Sequence, residues 1–330
     1  MSKSKSTGGR LQRLLLMQYV KNEMSATKLA KEIHENYLLL QALVGHEIET
    51  AFKSNQLTDR ISKAEAMRLN REWQQVLDNH PELKDFSEKQ LLTHLSTVDQ
   101  ALTHALDTHL TANSMANQKA LKDALQTAYV KNFLYVSYLL QEEAGVYQHV
   151  HNPHHVAQLI TKAWCGHENF ISRFTKDKEK TLKELTTIFR QGYLNKQTAQ
   201  QMAVQYAKRL NVSQTNANRL VFTEMSNIYA QATADAYEEH DVEEYEILAT
   251  LDNRTSQICQ DMDGQRFKVS EKSTGVNYPP FHPMCRTTTT PVINRFSTSK
   301  SRRWSKDEDG FRNTVDHMNY KEWSIKYLKK

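Results

Sequence analysis

The prolines of this 330-residue chain are crowded into one short stretch. Proline lacks a backbone N–H and interrupts helices and central strands, so its positions show where regular structure breaks. Four of the six prolines lie between Pro279 and Pro291, and only Pro81 and Pro153 lie upstream. The nine glycines are too few to interrupt the chain often. The sequence therefore predicts long helices over most of its length and a compact, turn-rich module after them.

Apolar residues recur at helical spacing in the N-terminal part. One stripe runs along a helix predicted at 26–53, and it consists of Leu29, Ile33, Tyr37, Leu40, Val44, Ile48 and Ala51. Further helices are predicted at 63–78, 87–110 and 116–144. Because one helix cannot bury its own apolar stripe, these helices must pack on each other or on a partner. We therefore expect residues 1–150 to form a helical region that docks on another protein.

The following part of the chain also begins with helices. They are predicted at 153–164, then up to Arg190, then at 196–210 after a cap at Asn195, and finally from a cap at Ser213 to Glu239. The last of these has an apolar face that consists of Ala217, Leu220, Val221, Met225, Ile228, Ala232 and Ala236. The helical pattern ends near Val242.

Strand patterns replace the helical pattern after Val242. Residues 243–251 alternate like a half-buried strand, and 287–293 are rich in β-branched residues. Asp263-Gly264 is a turn signal that could start a hairpin into 265–269. The predicted fold is mainly α, with a long helical N-terminal region followed by a helical plus small α+β C-terminal module. The predicted domains are 1–150, 151–294 with its Cys/His module at 250–293, and a basic, aromatic-containing tail at 295–330.

The module contains the strongest chemical signal of the chain. Cys259, His282 and Cys285 are three of the residue types that bind zinc. The His-x-x-Cys spacing lets two side chains reach one ion from a tight turn. Cys259 lies 23 positions before His282, a spacing at which one bound ion could link two strands. These residues are therefore candidate ligands of a structural zinc ion.

The candidate zinc site has one ligand too few, because structural zinc normally has four. Asp252, Asp261 or Asp263 could supply an oxygen, of which Asp252 is the candidate fourth ligand, or water could bind there. Two other interpretations stay open. The thiols could be free and packed in a small core with His282 hydrogen-bonded, or the group could have a catalytic or redox role.

Charged residues bracket the two cysteines. Asp252, Arg254 and Arg286 could form an Asp–Arg pair that locks the loop with Cys259 onto the loop with Cys285. The alternative is that Arg254 or Arg286 is exposed and contacts phosphate.

Positive charge is concentrated in the tail. The chain has 43 Lys and Arg against 38 Asp and Glu, and residues 295–330 carry the whole excess. Basic tails are candidate contacts for phosphate backbones, without sequence specificity. The candidate DNA contacts are Arg295, Lys300, Arg302, Arg303, Lys329 and Lys330. The alternative is an ordinary solvated terminus, although the aromatic residues of the tail indicate that parts of it dock on something.

Several functional classes lack their signatures in this sequence. It has no run of about 18 apolar residues, so we expect no membrane span. It has no glycine-rich phosphate loop, G-x-S-x-G elbow or H-E-x-x-H motif, so we expect neither catalysis nor a small-molecule substrate. Its three cysteines are odd in number and far apart, which indicates a reducing cytoplasm rather than a disulfide framework.

With these residues in view, the chain resembles the phage Mu F-like family of head morphogenesis or minor capsid proteins over about 160–293. The blocks that carry the resemblance are Trp164-x-Gly166, Phe170-Ile-Ser-Arg173, Arg219-Leu-Val-Phe-Thr-Glu224, Ala249-Thr-Leu-Asp252-x-Arg254-Thr-Ser-x-x-Cys259 followed by Asp263-Gly264, and Pro279-Pro280-Phe-His282-x-x-Cys285-Arg286. Some relatives carry extra cysteines near the positions of Ser256 and Thr287, and their absence here excludes a four-cysteine site.

The resemblance implies a minor head protein of a tailed phage or prophage. Such a protein would reside in the virion head, and in the host cytoplasm during assembly. It would act in procapsid assembly at the portal vertex and in DNA packaging or ejection. Its partners would be the portal protein, head and scaffold proteins, and DNA. The alternatives are a metal-dependent nuclease or toxin-like effector built on the Cys/His module, and a cellular DNA-binding protein with a zinc ribbon.

Overall fold

Helices dominate the computed structural model. It describes residues 7–54, 56–83, 95–144, 154–164, 168–293, 302–306 and 312–327. The helices are α1 (Thr7–Ala51), α2 (Lys63–Asn79), α3 (Val98–Ala144), α4 (His154–Thr161), α5 (Phe170–Leu194), α6 (Ala199–Glu239), α7 (Gln257–Met262) and α8 (Tyr320–Tyr327), with 3-10 turns at Pro81–Leu83 and Val269–Glu271. Among the described residues, no helix has an apolar stretch long enough to span a bilayer.

The strands form two small sheets late in the chain. They are β1 (Glu244–Leu248), β2 (Arg266–Lys268), β3 (Thr288–Val292), β4 (Arg302–Lys306) and β5 (Arg312–Asp316). The first sheet has the order β2-β1-β3 and is antiparallel throughout, while β4 and β5 form an antiparallel pair. The predicted mainly α fold with a small C-terminal sheet is confirmed.

The described chain divides into two compact units. The first takes residues from 1–29, 123–160 and 219–330, and the second consists of 30–122 and 161–218. Helices α1, α3 and α6 each contribute one part to each unit. The domains predicted at 1–150, 151–294 and 295–330 follow the order of the chain, whereas these units do not, and those domains stay a prediction.

The helices are longer than predicted, although their apolar stripes are located correctly. Every residue of the stripes predicted for α1 and α6 is buried. However, α1 begins at Thr7 rather than at 26, and the helices predicted at 196–210 and 213–239 form the single helix α6. The helices predicted at 87–110 and 116–144 correspond to α3, which begins at Val98, while 84–94 lie outside the described residues.

Two polar residues near predicted helix boundaries, Asn117 and Ser213, lie inside helices. Asn117 is fully buried in α3, where its side chain accepts a hydrogen bond from Asn36 of α1 at 2.7 Å. Ser213 of α6 lies 2.9 Å from the hydroxyl of Thr181 on α5. Asn195 ends α5 rather than starting α6, since its backbone N–H donates to Gln191 O. The helices continue through Asn117 and Ser213 because side chains of neighbouring helices satisfy their polar groups.

An ion network joins the helices of the second unit. Arg68 of α2 donates to Glu47 of α1 at 2.9 Å and to Glu65 and Glu72 of its own helix. Burial alone would raise the pKa of Glu47, but hydrogen bonds from His109 and Arg68 lower that pKa to about 2. Glu47, Glu72 and His109 could also hold a metal ion by proximity, but Arg68 already supplies positive charge to both carboxylates.

Strand β1 is more buried than its alternating pattern predicts. Tyr245, Glu246 and Ile247 are all at most 3% exposed. The reason is that β1 is the central strand, so both of its edges are paired and both of its faces are covered. The buried carboxylate of Glu246 is 2.9 Å from the guanidinium of Arg266 on β2. Pro291 is tolerated in β3 because β3 is an edge strand.

The C-terminal tail folds onto the end of β1. Lys306 of β4 donates its backbone N–H to Leu251 O at 2.9 Å. A small core forms there from Leu251, Val315, Tyr320 and Trp323, and the indole of Trp323 donates to Ser305 Oγ at 2.8 Å. The prediction that aromatic residues of the tail dock is confirmed for Tyr320 and Trp323.

The structure corrects the prediction that Arg303 contacts DNA. Its side chain is 2% exposed, and its guanidinium donates to the two carboxylate oxygens of Asp263 at 2.7 and 2.8 Å. It also donates to Met318 O at 2.8 Å. The charge of Arg303 thus attaches the tail to Asp263. The other candidate DNA contacts, Arg295, Lys300, Lys329, Lys330 and the side chain of Arg302, lie outside the described residues.

Replacing Arg303 with alanine should detach the tail, because Asp263 would stay buried without its counter-charge. We expect a loss of about 3–5 kcal/mol in the free energy of unfolding. We also expect faster proteolysis between 302 and 327. Lys321→Ala makes the same charge change at an exposed site of α8 and should cost less than about 0.5 kcal/mol. Equal denaturation curves for the two variants would show that the pair does not hold the tail.

Candidate metal centre

Two segments bring the predicted zinc ligands together. Cys259 lies in the short helix α7, while His282 and Cys285 lie in the turn before β3. Cys259 Sγ is 3.7 Å from Cys285 Sγ and 3.2 Å from His282 Nε2. The three ligand atoms all lie within 4.8 Å of one another. Both thiols are free and buried, and His282 is half-buried.

The imidazole of His282 is oriented by its own turn. Its Nδ1 lies 2.8 Å from Pro283 O, and because a carbonyl only accepts, Nδ1 must carry the proton. The lone pair of Nε2 therefore points to Cys259 Sγ and to Ser256 Oγ, which is 2.7 Å away. A backbone carbonyl that fixes the tautomer in this way is a common support for a metal-binding histidine.

The separation of the two cysteine sulfurs fits a shared zinc ion. Zinc–sulfur bonds of about 2.3 Å at tetrahedral angles place two sulfurs about 3.8 Å apart. The observed separation between the cysteine sulfurs is 3.7 Å. Sequence analysis missed Ser256, which is the N-cap residue of α7 and lies beside the Nε2 lone pair of His282. The position of Ser256 in a family block was the signal that could have found it.

The carboxylates considered as the fourth ligand are engaged elsewhere. Asp252 binds Arg286, Asp263 binds Arg303, and Asp261 accepts a hydrogen bond from Gln257 at 2.7 Å. None of these aspartates belongs to the close group of the two thiols and the imidazole. The structure therefore does not bring the predicted fourth ligand Asp252 into the site.

The Asp252–Arg286 pair instead fastens the two ligand-bearing segments to each other. Both terminal nitrogens of Arg286 donate to the carboxylate of Asp252, one of them at 2.8 Å. Asp252 also accepts from Thr255 Oγ1 and from the N–H of Arg254, each at 3.0 Å. Burial alone would raise the pKa of Asp252, but Arg286 lowers it below its usual range. This is the lock that the sequence analysis favoured.

The two thiols differ in their affinity for a proton. Their mutual hydrogen bond raises the pKa of Cys259 and lowers that of Cys285. The interaction with Cys285 also raises the pKa of His282, because a thiolate there favours a protonated imidazole. The arrangement thus favours a thiolate at Cys285 next to an imidazole, which suits a buried cation or a reactive thiol. Burial of both sulfurs limits the access of any reagent.

Two hydroxyl groups of helix α6 support the turn that contains His282. Thr223 Oγ1 accepts a hydrogen bond from the N–H of Met284 at 3.1 Å, and Ser226 Oγ donates to Cys285 O at 3.0 Å. Met284 has φ +58, an uncommon value for a residue with a side chain, so the turn needs this support. Sequence analysis missed both hydroxyls, although Thr223 and Ser226 are three residues apart on one helix face and Thr223 precedes the motif residue Glu224.

The other motif residues have separate locations. Trp164 and Arg173 are half-buried in the second unit, Glu224 is buried in α6, and Gly166 lies outside the described residues. Pro280 is buried and Arg254 is exposed. Gly264 has φ +80, a value that glycine adopts without strain, and donates its N–H to Ile247 O at 2.9 Å. Among the described residues, the last two motif blocks thus form the Cys/His group, and Thr223 of the block that ends at Glu224 supports its turn.

Residues 183–290 match the model of a family described as Phage Mu protein F like protein. This stretch is a phage Mu F-like domain. The family is one of phage head morphogenesis proteins, so the predicted resemblance is confirmed. The match covers about a third of the chain, and the block from Trp164 to Arg173 lies outside it. Searches of curated proteins and of solved structures found no significant match.

The Mu F-like domain thus contains the Cys/His group together with its supports. Thr223, Ser226, Asp252, Asp263 and Arg286 all lie within the matched residues. Arg303 and the rest of the tail lie beyond them. The buried Asp263 of the domain is therefore paired by a residue that the family model does not include.

Thr223→Val should loosen the turn, because the N–H of Met284 would lose its acceptor. An unsatisfied N–H costs about 1–3 kcal/mol, so we expect the modification of Cys285 by a thiol reagent to be roughly 5- to 150-fold faster. Peptide mapping by mass spectrometry would separate Cys285 from the other cysteines. Thr215→Val is the matched control, since Thr215 also bonds the carbonyl four residues back in α6 but is exposed. Equal rates in both variants would contradict a supporting role of Thr223.

Proposed function

We propose that this protein is a minor head protein of a tailed phage or prophage, and that it acts in procapsid assembly at the portal vertex. The observation that carries the proposal is the Mu F-like domain at 183–290. Long helices with buried apolar faces and a compact module locked by ion pairs suit a structural part of an assembly. Its partners are the portal protein and other head proteins.

The same proposal includes a structural zinc ion in the Mu F-like domain. Cys259, His282 and Cys285 would hold it, with Ser256 or water in the fourth position. Support comes from the sulfur separation of 3.7 Å and from the fixed tautomer of His282. The ion would tie α7 to the turn before β3, which stabilises a module that is too small to have a large core of its own.

Contact with DNA during packaging or ejection belongs to the proposal as well. Among the candidate contacts in the tail, Arg303 is excluded because it is buried against Asp263. Arg295, Lys300, Arg302, Lys329 and Lys330 remain candidates. Such contacts would be to phosphates and would weaken steeply with salt.

Fractionation of particles tests the assignment to the head. The tagged protein would be expressed in its native host, and particles would be separated on a density gradient after induction or infection. We expect the protein to band with the portal protein in procapsids or filled heads. A tagged host cytoplasmic protein is the control for trapping in particles. Recovery of the protein only in the soluble fraction would contradict the proposal, and metal-dependent cleavage of plasmid DNA, lost in His282→Ala, would then favour the nuclease alternative.

Metal analysis of the purified protein tests the zinc ion. We expect about one zinc per chain, and loss of the zinc in Cys259→Ser and His282→Ala. Cys165→Ser is the matched control, because it removes the cysteine outside the module and should keep the metal. The thermal unfolding midpoint should fall when a chelator removes the ion. A metal-free protein whose unfolding a chelator does not change would rule out a structural zinc.

A further inference from the structure

A sizeable cavity lies within the first unit, next to the turn with Cys285. Its volume is about 370 Å³, which is in the range of sites for small organic ligands. Its wall is formed by residues of α1, α3 and α6 and by segments around 254 and 278–289. All of the lining residues belong to one unit. Of the Cys/His group, Cys285 contributes to the wall of this cavity, and the group does not fill it.

Most of the surface of the cavity is apolar, which suits an apolar ligand. The wall includes Leu15, Val136, Phe222 and Met225. Two amides of the wall bond each other, since Asn22 Nδ2 donates to Asn132 Oδ1 at 3.0 Å. Asn132 Nδ2 is also used, because it donates to Thr233 Oγ1 at 2.9 Å and to Tyr229 O at 3.1 Å. The amide donors of Asn22 and Asn132 are therefore engaged within the protein.

Among the residues that the structure describes, one cation of the cavity lining has no ionic partner. Glu23 lies 3.7 Å from Lys306, and Arg286 is paired with Asp252. The guanidinium of Arg254 forms no hydrogen bond or ion pair with any residue that the structure describes, and Arg254 is exposed. A free guanidinium can bind a carboxylate, sulfonate or phosphate through two parallel hydrogen bonds. The cavity thus combines an apolar interior with a cation that is open to a ligand.

We propose that this cavity binds an amphipathic organic anion. The apolar part of the ligand enters between α1, α3 and α6, and its anionic group pairs with Arg254. Such a ligand could be a free amphiphile or an acidic, aromatic segment of a partner protein, because both present the same chemistry. The proposal rests on the cavity and on Arg254, and does not depend on the assignment to the phage head.

A pair of fluorescent probes tests the role of Arg254. The anionic probe 8-anilinonaphthalene-1-sulfonate should bind the full chain at one site. Arg254→Gln should weaken this probe about tenfold, since it removes the charge-assisted hydrogen bonds to the sulfonate. The neutral probe N-phenyl-1-naphthylamine should bind both proteins equally. Lys268→Gln, which removes an exposed cation outside the cavity, should change neither probe. An equal effect of Arg254→Gln on both probes, or no effect on either, would overturn the recognition of an anion.

Filling the cavity tests its location. Ala230 lies on the wall in α6 and is half-buried, so Ala230→Phe should abolish the binding of both probes. Ala203→Phe, at an exposed position of the same helix outside the cavity, is the matched control and should leave binding unchanged. If the phenylalanine variant does not fold, Ala230→Leu provides a smaller filling that should weaken both probes. Unchanged binding in a folded Ala230 variant would show that the probes bind elsewhere and would overturn the proposal.

Displacement of the anionic probe identifies the source of the ligand. Decanoate represents a free amphiphile, and a synthetic hexapeptide with aromatic and glutamate residues represents a partner segment. Displacement by decanoate alone would support a free amphiphile, and displacement by the peptide alone would support a protein segment. Failure of both competitors, at concentrations that saturate comparable sites, would overturn the proposed ligand class.

Discussion

The carboxylate of Asp263 is the point on which the C-terminal module depends. It is buried and accepts hydrogen bonds from the N–H of Ala249 and of Tyr320, each at 2.6 Å, and from the guanidinium of Arg303. These donors come from the end of β1, from α8 and from β4. A buried carboxylate without such donors is costly, so the three segments must assemble around it together. Asp263 directly follows α7, and it therefore also sets the position of the helix that carries Cys259.

The module is organised by directional polar contacts more than by the size of its core. Asp252 and Arg286 join its two ligand-bearing segments, and Thr223 and Ser226 attach the turn to α6. Apolar contacts have little directional preference, whereas bidentate ion pairs and hydroxyl bonds fix orientation. These protein contacts by themselves hold the two buried sulfurs and the imidazole a few ångströms apart.

Local patterns in the sequence predicted those features that depend on local spacing. The apolar stripes of the long helices, the small sheet and the grouping of Cys259, His282 and Cys285 were all found in this way. The continuity of α3 was missed, because Asn117 is satisfied by a residue of another helix. Arg303 was a candidate DNA contact because it lies in the basic tail. Its pairing with Asp263 was missed because the two are 40 residues apart, a distance at which sequence pattern carries no information about pairing.

The first unit contains residues from both ends of the described chain. Glu23 of α1 lies 3.7 Å from Lys306 of β4, so a contact within one unit closes a loop of nearly 300 residues. A ribosome that makes about 5–20 residues per second needs roughly 15–60 seconds to make that stretch. During this time the first turns of α1 lack their partners and expose Leu15 and Leu16, which are buried in the finished unit. Chaperones or neighbouring nascent chains can reach this helix before its own C-terminal partner exists.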